Sequence, residues 1–77
     1  MIKTKFIKMN GIQDVMTFVK IASSIDGDVL VKKGKFCIDG KSLMGMFSLD
    51  LSNGAMVEYP EDAITLDEFL DNYKVAE

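Results

Sequence analysis

The spacing of apolar residues changes from one period to another along the chain, and this constrains the fold more than any other feature. Ile2, Thr4 and Phe6 alternate with Lys3 and Lys5, the period-2 pattern of a half-buried strand. Ile7 and Met9 depart from it, which turns them outward as a bulge or a contact surface, and Asn10-Gly11 ends the segment. From Gln13 the spacing becomes helical. Val15, Phe18, Val19, Ala22 and Ile25 share one stripe, and Asp14 suits the positive end of the helix dipole. Asp26-Gly27-Asp28 stops this helix. Val29 and Val31 open a strand that turns at Lys33-Gly34-Lys35 into a second strand with Phe36 and Ile38, while Cys37 faces the other way.

Ser42 is placed to cap a short apolar helix reaching Leu49, which Gly45 weakens by about 1 kcal/mol relative to Ala. Asn53-Gly54 marks a turn. Ala55 to Tyr59 reads as the last strand, Val57 and Tyr59 inward, and Pro60 ends it. Thr65-Leu66-Asp67-Glu68 has the form of a capping box, opening a final helix striped by Leu66, Phe69, Leu70 and Tyr73. The order β-α-β-β-α-β-α predicts an α+β fold: one four-stranded antiparallel sheet with three helices on one face. The other face is then wet, which suits Lys3, Lys5 and Lys32. At 77 residues the chain forms a single domain, 1–77, whose one core supplies roughly 3–5 kcal/mol.

Composition removes several classes of function. A single cysteine, Cys37, cannot close an internal disulfide, no apolar run approaches ~20 residues, and Met1 to Met9 has no signal-peptide core. A cytoplasmic protein without membrane insertion is expected. The net charge is −3, and the positive residues are all Lys. Without Arg, and with Lys32, Lys33 and Lys35 read as a solvated hairpin tip, nucleic acid is not expected as a partner. The chain has no His, which removes the commonest general base and the commonest metal ligand, and one Cys cannot complete a zinc site. Gly40-Lys41-Ser42 has the look of a phosphate-loop ending, but Lys35 stands where the leading Gly is required. The carboxylates near the C-terminus read as a solvated helix face. Neither enzymatic activity nor a catalytic residue, metal or cofactor is expected.

The run Asp39-Gly40-Lys41-Ser42-Leu43-Met44-Gly45-Met46-Phe47-Ser48-Leu49 closely resembles the regulatory-serine segment of HPr, the small phosphocarrier family of the bacterial sugar phosphotransferase system. Phe18-Val19-Lys20 is similar to part of that family's first helix. The resemblance is strong from Phe18 to Leu51 and implies an open-faced β-sandwich; the last helix is short for the family. It also implies a phosphoryl-carrying His after a Gly-Leu/Ile pair, with an Arg and a Pro just beyond. Here Gly11-Ile12 is followed by Gln13-Asp14-Val15-Met16, and the distance from Gly11 to Phe18 is two residues short.

Gln13 thus stands at or near the family His position, and its amide takes no phosphoryl group in that chemistry. The family's Arg has no counterpart here, and Asp14 nearby repels a dianion. The chain resembles a divergent HPr-like member without His phosphocarrier activity. What the resemblance leaves is regulation by protein interaction. Ser42 is the regulatory phosphosite it implies, and Lys41, Leu43, Met44 and Phe47 are the docking surface, with Met46 and Leu49 turned inward. The implied partners are phosphotransferase-system proteins, an HPr-type serine kinase or a transcription regulator. The alternatives are a phosphocarrier using some other residue, or a small structural or oligomerising domain that associates through Ile7 and Met9.

Overall fold

The computed structural model describes residues 1–75. Strand β1 (Ile2–Ile7) leads to helix α1 (Ile12–Ser23), the hairpin β2 (Leu30–Lys33) and β3 (Phe36–Asp39), and helix α2 (Leu43–Phe47). A single 3-10 turn (Leu51–Asn53), strand β4 (Ala55–Pro60) and helix α3 (Ile64–Asp71) follow. The four strands form one antiparallel sheet in the order β1-β4-β2-β3. This is the α+β arrangement that the changes of period predict. The 3-10 turn is the one added element, closed by the Asp50 carboxylate, which accepts from the Ser52 amide at 3.1 Å.

The core lies between the sheet and the helices. Phe18 and Ala22 of α1, Val31, Val57 and Tyr59 of the sheet, and Leu66 and Leu70 of α3 are fully buried together, as the helical and strand stripes require. Val29 joins them from just outside β2, while α1 stops at Ser23, two residues before the stripe's last member, Ile25. The β2–β3 hairpin turns through Gly34 and Lys35, with Lys33 opposite Phe36. Gly34 has φ +59°, which a Cβ would strain.

Strand β1 lies with the opposite face inward from the one its pattern predicts. Lys3, Lys5 and Ile7 stand across from Tyr59, Val57 and Ala55, all buried beneath the helices, while Ile2, Thr4 and Phe6 line the open face with Glu58 and Met56. The reason is α3. Lys5 Nζ donates to the Asp67 carbonyl at 3.0 Å, pairs with the Asp67 carboxylate at 2.9 Å and reaches the Asp71 carboxylate; Lys3 pairs with Asp67 at 3.1 Å. Two lysines can face the helix layer because two carboxylates of α3 receive them there. Lys32 does lie on the open face, paired with Glu58 at 2.9 Å. Asp67 is therefore not part of a solvated carboxylate face.

The same register corrects the reading of Ile7 and Met9. Ile7 is 1% exposed and Met9 3%, so both belong to the core, and Met9 is tied down by its amide donating to the Leu51 carbonyl at 3.1 Å. An oligomerising surface built on Ile7 and Met9 has no exposed side chains to use.

The capping box at Thr65 does not form either. Helix α3 begins at Ile64 after Ala63, without a side-chain cap; the Ala63 and Ile64 amides donate to the carbonyls of Pro60 and Asp62. A backbone turn after Pro60 starts the helix two residues early, leaving Thr65 and Glu68 exposed on it.

Candidate functional site

Two helix starts carry the candidate residues. At α2, Ser42 has extended backbone and its Oγ accepts from the Gly45 amide at 3.1 Å, as a capping serine should. The turn that delivers it is fixed by Asp39: its Oδ1 accepts from the Lys41 amide at 2.9 Å and its carbonyl from the Ser42 amide at 3.0 Å. Gly45 lets α2 approach β3, since a Cβ there would lie 2.7 Å from Ile38 Cγ2.

Helix α2 has two sides. Met46 is buried and Leu49, just after it, packs partly against the core. Leu43, Met44 and Phe47 face solvent, Met44 at 86% of its full exposure. Lys41 does not hold its charge free beside Ser42, because its Nζ donates to the Ile25 carbonyl at 2.6 Å in the loop after α1.

At α1 the cap position is Gly11, which offers no side chain. Gln13 is exposed in the first turn, and its carbonyl accepts from Thr17 Oγ1 at 2.9 Å. Asp14 is held by the Tyr73 hydroxyl, which donates to its Oδ1 at 2.7 Å from beyond the end of α3. That bond, with some burial, raises the pKa of Tyr73. The turn opening α1 therefore presents a carboxamide and an occupied carboxylate, with no basic side chain among Ile12 to Val15. It contains neither a nucleophilic nitrogen nor a cation to receive phosphate.

The two helix starts share a surface. A cleft of about 290 Å³ is lined by Ile12 and Val15 of α1 and by Met46, Phe47 and Leu49, so the exposed side of α2 continues onto α1. Ile12 is 68% exposed, and Met16, one turn on, is exposed too. The sequence reading missed both. Their signal is two apolar residues four apart that fall outside the buried stripe of α1. Among the described residues no group of His, Cys, Asp and Glu is arranged to hold a metal, and no helix is long and apolar enough to cross a membrane.

Residues 13–60 match the family model described as the PTS HPr component phosphorylation site. The sequence has no significant match among curated proteins. Among solved structures, the phosphocarrier protein HPr of Bacillus anthracis is similar at 22% identity and TM-score 0.71, over 96% of this chain and 98% of that one. An HPr structure, HPr-C-His, from Thermoanaerobacter tengcongensis is similar at 27% identity and TM-score 0.66, over 94% and 88%. The catabolite repression protein Crh of Bacillus subtilis, described as a swapped, intertwined dimer, is similar at 22% identity and TM-score 0.62, over 91% and 88%.

Proposed function

Since this chain belongs to the HPr family of the phosphotransferase system, whose members are phosphocarriers or regulatory proteins, we propose that it serves the regulatory side of that family. It acts through protein contact and carries no phosphoryl group on His. The observation that carries this reading is the turn opening α1, where Gln13 and a Tyr73-bound Asp14 stand in a chain without a histidine. Reversible relay needs a labile P–N bond on an imidazole, and neither a carboxamide nor a serine ester provides one.

Ser42 is the regulatory site in this proposal. A kinase transfers the γ-phosphoryl group of ATP to Ser42 Oγ, with ADP leaving and the hydroxyl proton passing to the kinase. The product places roughly −2 charge at the positive end of α2, where phosphate oxygens can replace Oγ as acceptors for the freed amides. Leu43, Met44 and Phe47, joined by Ile12 and Met16, form the surface that the partner covers. Lys41 belongs to this surface through its stem, and its charge is available once it leaves the Ile25 carbonyl. The partners are an HPr-type serine kinase and a transcription regulator or another phosphotransferase-system protein, and the setting is the cytoplasm.

The test is labelling. With ATP and an HPr kinase the chain takes up acid-stable phosphate, and Ser42→Ala takes up none. With phosphoenolpyruvate and Enzyme I it stays unlabelled. Acid-labile label in the second reaction would restore the phosphocarrier reading, and equal labelling of Ser42→Ala in the first would remove Ser42 from the proposal.

A further inference from the structure

We propose that two copies of this chain associate through the free edge of β3, pairing antiparallel about a two-fold axis at Cys37. Strand β3 is the last in the order β1-β4-β2-β3 and, among the described residues, pairs with β2 alone. At the other edge, β1 is partly covered: Ile7 bridges to Lys74, and the Val75 amide donates to the Phe6 carbonyl at 3.0 Å. Edge β3 therefore presents the unclosed end of the sheet.

The hairpin fixes which backbone groups point outward. Lys33 faces Phe36 across a two-residue turn, Ile38 faces Val31, and further along the same register the Gly40 amide donates to the Val29 carbonyl at 2.7 Å. Hydrogen-bonded pairs alternate with open pairs in an antiparallel ladder, so Phe36 and Ile38 spend their amides and carbonyls on β2. The N–H and C=O of Cys37, and the N–H of Asp39, point away from it.

The side chains favour a second copy as the occupant. Asp39 ends β3 and Lys35 stands in the turn just before it, two residues either side of Cys37, so a partner strand centred on the same residue brings the Lys35 side chain within reach of the partner's Asp39. Symmetry makes that pair twice. In the same register Phe36, 63% exposed in the monomer, faces the partner's Ile38 on the helix side of the sheet. A slip of two residues sets Lys35 against either the partner's Cys37 or the partner's Lys41, so the charges select one register. The edge is complementary to itself; Asp39 Oδ1 already accepts from the Lys41 amide in the turn before Ser42, so it is the second carboxylate oxygen that meets the partner's Lys35.

Cys37 is exposed and provides a ruler. In this pairing the two Cys37 Cα atoms sit about 5.5 Å apart, within disulfide reach. The experiment measures association of Cys37→Ser by sedimentation equilibrium from micromolar to millimolar protein. Among the described residues the Lys35 side chain is exposed and makes no hydrogen bond or ion pair, so Lys35→Asp is the clean first variant. It weakens dimerisation about tenfold, and Lys35→Asp combined with Asp39→Lys recovers it. Wild type oxidised with copper-phenanthroline forms the Cys37-linked dimer faster than Lys35→Asp does. A monomer at every concentration overturns the proposal. So does a dimer indifferent to Lys35→Asp, which would place the contact elsewhere. Thermal melting of each variant confirms that a lost dimer is not a lost fold.

Discussion

Lys5 of β1 and Asp67 of α3 meet twice, once through the Asp67 carbonyl at 3.0 Å and once through its carboxylate at 2.9 Å. The same carboxylate accepts from the Tyr59 hydroxyl and pairs with Lys3 at 3.1 Å. One aspartate thus ties the first strand, the last strand and the last helix together. Asp67→Ala leaves the buried Tyr59 hydroxyl without its acceptor and Lys5 with only the residue-67 carbonyl and Asp71, and is expected to cost about 2–3 kcal/mol. Lys5→Met, which keeps the volume and leaves Asp67 bonded to Tyr59 and Lys3, is expected to cost less than half of that. Urea midpoints of the two variants, compared at equal slope, decide the order.

This network also sets the pH range of the fold. The hydrogen bond from Tyr59, followed by that from Lys5, holds the Asp67 carboxyl well below its ordinary 3.8. A depressed acid contributes stability in full above its unfolded value, and that contribution fades as the pH falls below about 4. Burial first, then the hydrogen bond to Asp67, pushes the Tyr59 hydroxyl up from 10.0 to about 12. Its contribution is whole below pH 10.0 and is lost as the pH rises to about 12. Stability measured against pH should fall on both sides of a plateau. Asp67→Asn should flatten the acid side, and Tyr59→Phe should remove part of the alkaline side.

Ser42 can be tested as a cap apart from its proposed modification. Ser42→Ala leaves the Gly45 amide without its acceptor and is expected to cost about 1 kcal/mol. Ser42→Asp supplies an equal acceptor and a negative charge at the helix start, and should hold stability within about 0.5 kcal/mol of wild type. Chemical denaturation separates them. If both lose equally, the hydroxyl does more than cap.

The two sides of α2 predict opposite results. Met46→Ala opens a hole in the core and should cost about 2–4 kcal/mol. Met44→Ser removes a side chain that is 86% exposed, and should change stability by less than about 0.5 kcal/mol while weakening partner binding at least tenfold. Calorimetric titration with the regulator, run beside thermal melting, checks both halves.

Gly45→Ala sets helix propensity against space. Alanine should favour α2 by about 1 kcal/mol, but its Cβ would lie 2.7 Å from Ile38 Cγ2. The clash is expected to win, giving a lower melting point. A higher one would mean that α2 shifts off β3 without loss.

Legibility in the sequence followed the range of the interactions. The hairpin at Lys33–Phe36, the inward Val57 and Tyr59, the Ser42 cap and the outward Leu43, Met44 and Phe47 rest on contacts close along the chain or on simple periodicity. What the sequence hid came from far away. Lys5 meets Asp67 62 residues on, and Asp14 meets Tyr73 59 residues on; neither pairing leaves a local mark. Without those partners Lys3 and Lys5 look like a wet face, and Ile7 and Met9 look misplaced. The start of α3 was missed because a backbone turn did the work that Thr65 and Glu68 seemed to offer.

The last strand is the second in the sheet, lying between β1 and β2. A chain emerging from the ribosome therefore holds its first strand and its hairpin as separate pieces, because β1 touches no other strand until β4 arrives. The sheet closes only when Ala55–Pro60 pairs with both, and the core is filled only when Leu66 and Leu70 of α3 follow.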